Sequence, residues 1–461
     1  MLMEKYIMIL AAGKGTRMKS ALPKVLHEAA GHPILSYVLH AAKEVGADDI
    51  CTVIGHGADE VRAAFAGQTS FVLQKEQKGT GHAVREGLAA FESHEQGTVL
   101  VLCGDTPLLR GETLKRLCAC HEENGAAVTV MTAELADPFG YGRIIRSENG
   151  DLLRIVEQRD ATEEERAVTE INSGVYCFDL SFLRDAVFKL QNDNDQGELY
   201  LTDTIAVAGR EGRKAAAFRI DDFEEVKGIN DRIQLADAAK ILRRRKAEEV
   251  MAAGVTLADP DTVTIDPWAE IGEDTVIEPF TVIKGNTRIG KGCTIGPNAE
   301  LTDTVLGDNV KFWRSVAVEA SAGNGCNIGP FAYLRPHTEL KERVKIGDFV
   351  EIKNSTIGEG TKIPHLTYIG DSDVGSGCNI ACGTITCNYD GFEKTRSTIG
   401  DGVFVGCNVN LVSPVTVENG AYIAAGSTIT KDIPQDALAV AREKQSNKEG
   451  WAERFRRMHK D

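Results

Sequence analysis

No stretch of this 461-residue chain approaches the roughly 20 consecutive apolar residues of a membrane span, so a helical membrane protein is excluded. The apolar run from Tyr6 to Ala12 is short, preceded by Glu4 and followed by glycines. It reads as a first strand, not an export signal. Basic residues are in deficit: 52 Lys and Arg against 68 Asp and Glu leave a formal charge of −16, with no long basic run. A nucleic-acid partner is therefore excluded, because phosphate backbones are held by clustered Lys and Arg. Any anionic substrate must meet positive charge placed locally. Cys-x-x-Cys pairs are also missing among the 11 cysteines, and Cys118 and Cys120 stand too close for a metal knuckle. Free thiols in a reducing cytosol, and hence a cytoplasmic protein without a membrane partner, are expected.

The length calls for two domains, each with its own core. In the first half, short aliphatic runs (YIMILAA, ICTVIGH, VLVLCGD, AVTVMTA) alternate with helical patterns such as residues 34–45. Such alternation predicts an α/β domain with a mostly parallel, Rossmann-like sheet covered on both faces, its chemistry at the carboxyl ends of the strands. From Asp231 to about Ala253 the chain is rich in Ala, Leu, Lys and Arg, has no proline and ends at Gly254. A long connecting helix is expected there.

Beyond Gly254 aliphatic residues recur every six positions: Ile271, Ile277, Ile283, Ile289, Ile295, Leu301, and later Ile357, Ile363 and Ile369. Four residues after the first six stand Thr275, Thr281, Thr287, Cys293, Ala299 and Val305. A three-sided coil gives this period; a helix or a simple alternating strand does not. Glycines after the aliphatic residue, as at Gly272 and Gly358, suggest tight corners. The phase is expected to break at 323–327, 342–345 and 386–397. The pattern resembles the hexapeptide-repeat acyltransferases, which implies a left-handed parallel β-helix. The resulting division is 1–230, a helical linker over 231–254, and 255–461 with a C-terminal tail.

Directly after the first strand stands LAAGKGTRM, with Leu22-Pro23-Lys24-Val25 following. It fits neither the P-loop nor the dinucleotide glycine pattern. Ala11, Ala12, Gly13 and Gly15 let backbone N–H groups approach an anion, while Arg17 and Lys24 supply charge. The motif resembles the sugar-phosphate nucleotidylyltransferases. That resemblance makes Leu10, Ala11, Ala12, Gly13 and Lys24 nucleotide contacts and assigns Gln74, Gln77, Gly79 and Thr80 to uridine. It gives Asp105 and Asn230 to Mg²⁺, and Gly142, Glu157 and Asn172 to the sugar, with Arg17 and Lys24 acting on the phosphates.

In the coil, His365 stands two residues past the inward Ile363 and should point outward. Arg335, Lys353, Tyr368 and the insertion TCNYDG also occupy positions packing does not require. A histidine titrating near neutral pH can take a proton from an attacking amine. From Tyr6 to about Trp451 the chain resembles the family of bifunctional N-acetylglucosamine-1-phosphate uridylyltransferases/glucosamine-1-phosphate N-acetyltransferases. The resemblance implies that His365 is the base and that Arg335, Lys353, Tyr368, Asn379, Asn388 and Tyr389 hold glucosamine 1-phosphate. It places Cys382, Asn388, Tyr389, Cys407, Ala425 and Arg442 on acetyl-CoA, with UTP and N-acetylglucosamine 1-phosphate as the other substrates, and implies a homotrimer. Cys382, Cys407 and Pro364 depart from the Ala, Ser and Gly common in relatives. Two alternatives stand beside this reading: a nucleotidylyltransferase whose coil only oligomerises, and a silent regulatory subunit. His365 and NYDG oppose the first, and the retained Arg17, Lys24, Asp105 and Asn230 oppose the second.

Overall fold

The computed structural model describes residues 4–459, which divide between Leu242 and Arg243 into two compact units. The first is built on seven main strands: β1 (Lys5–Ala11), β2 (Asp49–Ile54), β3 (Ser70–Leu73), β4 (Thr98–Cys103), β5 (Val128–Glu134), β6 (Glu170–Asp179) and β7 (Ala215–Ile220). Their order is β7-β5-β6-β4-β1-β2-β3. All pairings along it are parallel except those of β6, which runs antiparallel to both β4 and β5. A hairpin of Arg143–Arg146 and Leu152–Val156 extends from β6.

Alternation along β1 explains why the sheet is covered on both faces. Tyr6 and Met8 enter one apolar cluster with Val84, Phe91 and Leu183. Ile7 and Ile9 enter the opposite one with Leu35, Val38 and Leu117, from helices α1 (Ile34–Glu44) and α2 (Gly111–Asn124). The expected connecting helix is α3 (Arg232–Ala252), which begins in the first unit and ends in the second.

The second unit is a parallel β-helix. One face is a nine-stranded ladder; the other two form a single 19-stranded sheet, because Lys345–Lys353 and Lys362–Gly370 run round a corner without interruption. Ile277, Ile283, Ile289, Ile295 and Leu301 fill the interior. Thr275, Thr281 and Thr287 lie buried beside them and donate their hydroxyls to the carbonyls of Gly290, Glu278 and Lys284.

Two expectations about this coil need correction. The interior series Ala322, Ile328, Leu334, Leu340, Ile346, Ile352 keeps its six-residue step through 323–327 and 342–345, so the phase does not break there. It shortens to five residues between Leu301 and Leu306, Phe312 and Ala317, Ala317 and Ala322, Ile352 and Ile357, and Ile369 and Val374. Each short step turns on a residue held at φ 46–48°: Asp303, Arg314, Glu319, Asn354 and Asp371. The first short step also puts Val305 outside, 49% exposed, while Thr304 and Leu306 take the inner positions. The third expected break is present: Ile380 to Val405 spans one coil of 25 residues, the extra chain lying after Thr386. The glycines after the aliphatic residue answer to close coil stacking. A β-carbon on Gly272 would lie 2.7 Å from the carbonyl carbon of Gly290 in the next coil.

Candidate functional sites

In the first unit the carboxyl end of β1 opens into a cavity of about 310 Å³ lined by Leu10, Ala11, Ala12, Gly13, Lys24, Gln74, Gln77, Gly79, Thr80 and Asp105. The fold gathers these from four segments because β4, β1, β2 and β3 are neighbours in the sheet, and the chain following β1, β3 and β4 converges at the same edge. Gly15 sits at φ 57°, where a β-carbon would also press within 2.7 Å of Lys24 Cβ. The loop thus needs glycine for both conformation and proximity. Gln74 is buried, its amide within 3.0 Å of His82 Nδ1 and 3.3 Å of the Gly79 carbonyl. Gly79, at φ 101°, precedes a helix whose first residue is Thr80, and the Gly81 N–H in its first turn donates to the Leu199 carbonyl at 2.8 Å.

Lys24 is the hub. Its ammonium donates to Asp105 Oδ2 and lies 3.4 Å from Asn230 Oδ1. Arg17 donates to the same Asn230 oxygen at 2.8 Å. Asn230 comes from 206 residues away and is pinned by the backbone bond from Ile229 N–H to the Asp105 carbonyl, 2.9 Å. Two hard oxygen donors therefore converge on one positive charge, here the lysine. Such a pair suits Mg²⁺, which takes one or two protein oxygens and fills its octahedron with water and phosphate. Among the described residues no group of three or more His, Cys, Asp or Glu could hold a metal.

Arg17, Asp105 and Asn230 line a second cavity of about 410 Å³ with Gly140, Tyr141 and Ser173. Cys103 lines both cavities; burial pushes its thiol up to about 12, so it stays neutral. Gly142, Glu157 and Asn172 are brought together as expected: a β-carbon on Gly142 would stand 3.4 Å from Glu157 Oε1 and 3.5 Å from Asn172 Cβ. Burial, then the negative charges of Asp160 and Asp203, raise the Glu157 carboxyl above its ordinary range, against Arg143. Asn172 Oδ1 accepts from the Gly174 N–H at 2.9 Å and the Tyr176 hydroxyl at 3.0 Å. Glu198, on the first cavity's wall, and Cys103 escaped the sequence reading, since nothing in their local sequence separates them from ordinary strand and loop residues.

In the second unit the expected residues fall on two corners of the coil and the face between. On one corner the in-register coils place His365, Cys382, Cys407 and Ala425 above one another. The stack is shown by the bonds Gly383 N–H to Leu366 O, Asn408 N–H to Cys382 O and Gly426 N–H to Cys407 O, 2.8–2.9 Å. Arg442 continues the line, its Cδ 3.9 Å from where a β-carbon on Gly426 would be. His365 is exposed, and its Nδ1 lies 2.7 Å from Asp348 Oδ1, one coil earlier in the same register. Asn379, paired with Lys362, flanks this corner on the preceding face.

At the other corner Arg335 donates to Glu351 at 2.7 Å, and Lys353 lies 3.7 Å from Asp371. A neighbouring ammonium, Lys394 from the insertion, together with burial, holds Lys353 below its ordinary range despite Asp371. Burial opposes ionisation of Asp371, yet hydrogen bonds from Asn354 and Asn388 and the Lys353 charge keep its carboxyl below the usual range. Tyr368 and Asn388 converge over Gly370, where a β-carbon would stand 2.7 Å from Asn388 Nδ2. Glu351 and Tyr368 pair across adjacent coils on the face between. One chain does not bring Asn388 and Tyr389 beside Cys382 and Cys407, because Thr386 and its strand separate the two corners. Asp348, Glu351, Asp371 and Lys394 are additions to the expected set. Asp348 was findable, standing two residues past the inward Ile346 as His365 stands two past Ile363.

The chain matches the MobA-like NTP transferase domain over residues 7–170 and bacterial transferase hexapeptide repeats over residues 269–303 and 396–431. It is 53% identical to a protein of Trichlorobacter lovleyi called "Bifunctional protein GlmU", across 96% of this chain and 97% of that one. Proteins of the same description from Caldanaerobacter subterraneus and Halalkalibacterium halodurans are 50% and 48% identical, across 96% and 97% of this chain and 97% and 98% of theirs.

Proposed function

The chain belongs to the bifunctional GlmU family, and on that premise we propose how its residues divide two reactions between its two units. The enzyme transfers an acetyl group from acetyl-CoA to glucosamine 1-phosphate in the coil, and a uridylyl group from UTP to N-acetylglucosamine 1-phosphate in the α/β unit, making UDP-N-acetylglucosamine. Residues 1–230 carry uridylyl transfer, 231–254 link, and 255–461 carry acetyl transfer. The observation that supports this division is that each unit holds its own set of charged and polar side chains at positions its fold does not need: Lys24 with Asp105 and Asn230 in one, His365 with Asp348 in the other.

For uridylyl transfer, a phosphate oxygen of the sugar attacks the α-phosphorus of UTP, and the bond to pyrophosphate breaks. Leu10 lines the nucleotide pocket, and backbone N–H groups at Ala11, Ala12 and Gly13, with Lys24 and Arg17, neutralise the phosphates, so positioning and charge supply most of the effect. Gln74, Gln77, Gly79 and Thr80 hold the uracil ring. Gly142, Glu157 and Asn172 hold the sugar. Asp105 and Asn230 would hold Mg²⁺, which would supply further positive charge beside the phosphates.

For acetyl transfer, the sugar amine attacks the thioester carbonyl, His365 takes the amine proton, and coenzyme A leaves as the thiol. The sugar phosphate spans the face between the corners, its phosphate on Arg335 and Lys353 and its amine toward His365. Tyr368, Asn379, Asn388 and Tyr389 complete that pocket. Coenzyme A follows the stacked corner of Cys382, Cys407, Ala425 and Arg442. Because Asn388 and Tyr389 lie on another corner of the same chain, their contact with acetyl-CoA requires a neighbouring copy, as in a homotrimer. Eleven free cysteines suit a cytoplasmic enzyme, and no helix among the described residues is long and apolar enough to cross a membrane.

The test separates the two sites. His365→Ala should abolish thiol release from acetyl-CoA with glucosamine 1-phosphate and leave pyrophosphate release from UTP and N-acetylglucosamine 1-phosphate intact. Loss of both activities in a folded His365→Ala protein would sink the two-site reading.

A further inference from the structure

The hydrogen bond between His365 and Asp348 gives the imidazole a direction. A carboxylate beside Nδ1 accepts a proton from it, and the 2.7 Å separation is that of a charge-assisted bond. The same bond holds the Asp348 carboxyl below its ordinary range, so it is ionised and can only accept. With Nδ1 carrying the hydrogen, the lone pair sits on Nε2, away from Asp348. The coil fixes this partnership by register: Asp348 and His365 pair one rung apart, inside the two longest strands of the helix, each nine residues and each turning the corner without a break. The residue next to Asp348, Phe349, turns its corner at φ 56°, and the one next to His365, Leu366, at φ 38°. Both are bulky side chains held where glycine is usual. Packing gains nothing here, since Asp348 and His365 are 40% and 58% exposed. An exposed ion pair of this kind contributes little to stability.

The geometry points to Asp348 as a positioning residue for acetyl transfer. It selects the imidazole tautomer whose Nε2 can receive the amine proton, and it faces the imidazolium that forms when the proton arrives. No atom of Asp348 enters the bonds made or broken. The proton moves from the amine nitrogen to Nε2, and the Nδ1 hydrogen stays where it is. The groups facing the imidazole are Asp348 on the preceding rung and Cys382 on the following one, with Tyr368 further along the same strand.

The inference rests on His365 being the base, so both residues are tested together in the full-length enzyme. Asp348→Ala should lower kcat for acetyl transfer about tenfold to a hundredfold, the worth of one hydrogen bond to a charged group. KM for acetyl-CoA and glucosamine 1-phosphate should stay within about twofold, and uridylyl transfer should be unchanged. Asp348→Asn, whose amide oxygen still accepts from Nδ1 but carries no charge, should recover most of the loss, and added formate should partly rescue Asp348→Ala. A wild-type kcat in Asp348→Ala alongside an inactive His365→Ala would overturn the role of Asp348 and leave the base intact. A raised KM with unchanged kcat would make Asp348 a substrate contact and also overturn it. Full activity in His365→Ala would instead overturn the reading on which the inference stands.

Discussion

Lys24 and Asp105, 81 residues apart in the chain, meet through a hydrogen bond from ammonium to carboxylate at the carboxyl edge of the sheet. Neither has a packing reason to be there, since both line an open cavity. The lysine thus shares the carboxylate proposed above as a divalent-cation ligand. Asp105→Ala should reduce pyrophosphate release by roughly a hundredfold or more, with acetyl transfer unchanged. Raising the Mg²⁺ concentration should recover little of the loss, because a ligand has gone and not merely weakened. A steady-state assay of each half-reaction reads this directly.

Gly142 forms the wall beside Glu157 and Asn172. In Gly142→Ala the new methyl would come within 3.0 Å of Ile155 Cγ2 and 3.4 Å of the Glu157 carboxylate, closer than ordinary van der Waals contact on the first count. The pocket narrows without losing a donor. KM for N-acetylglucosamine 1-phosphate should rise about tenfold while that for UTP holds, a loss of about 1.4 kcal/mol in binding. Product-release kinetics with varied sugar phosphate would show it.

Glu157 should destabilise the fold at neutral pH. Its folded carboxyl titrates above its unfolded value, chiefly through burial and then through Asp160 and Asp203, with Arg143 opposing. In the window between the two values the folded protein binds the extra proton, so stability falls as pH rises through that window. Glu157→Gln should therefore raise Tm at pH 7 and confer no gain well below the ordinary Glu range, while weakening sugar binding. Thermal unfolding across pH, followed in the first unit, would reveal the sign.

Cys407 is the one exposed thiol among the described cysteines, and it stands on the corner assigned to acetyl-CoA. Under limiting maleimide it should be modified first, and acetyl transfer should fall with the extent of labelling while uridylyl transfer persists. Acetyl-CoA should slow the labelling. Mass mapping of the modified peptide and a resistant Cys407→Ser variant complete the test.

Ile295 is fully buried inside the coil, between Ile277 and Phe312 in the register of one face. Ile295→Ala should cost about 2–5 kcal/mol through lost transfer and a cavity that stacked coils cannot collapse. Denaturant unfolding would measure it.

Periodicity alone revealed the coil, because each rung repeats one pattern and an inward aliphatic residue every six positions has no other use. It did not reveal where the step shortens. Five-residue corners depend on single residues adopting φ 46–48°, and Asp303, Arg314, Glu319, Asn354 and Asp371 share no side-chain type that would announce this. The α/β half was legible for a similar reason: strands buried on both faces read as aliphatic runs, and glycine-rich turns at their ends mark where an anion can approach.

The sequence by itself determined the two architectures, the connecting helix and the side chains available for chemistry, since these follow from local pattern and residue type. Only the tertiary structure decided the partnerships: Lys24 with Asp105 and Asn230, Gly142 with Glu157 and Asn172, His365 with Asp348. Those pairs join segments 15 to 206 residues apart. Distance along the chain carries no information about contact in space until sheet order and coil register close the intervening loops. The insertion after Thr386 shows the same limit, because its length was readable while its delivery of Asn388 and Lys394 to Asp371 and Lys353 was settled by the corner on which it folds.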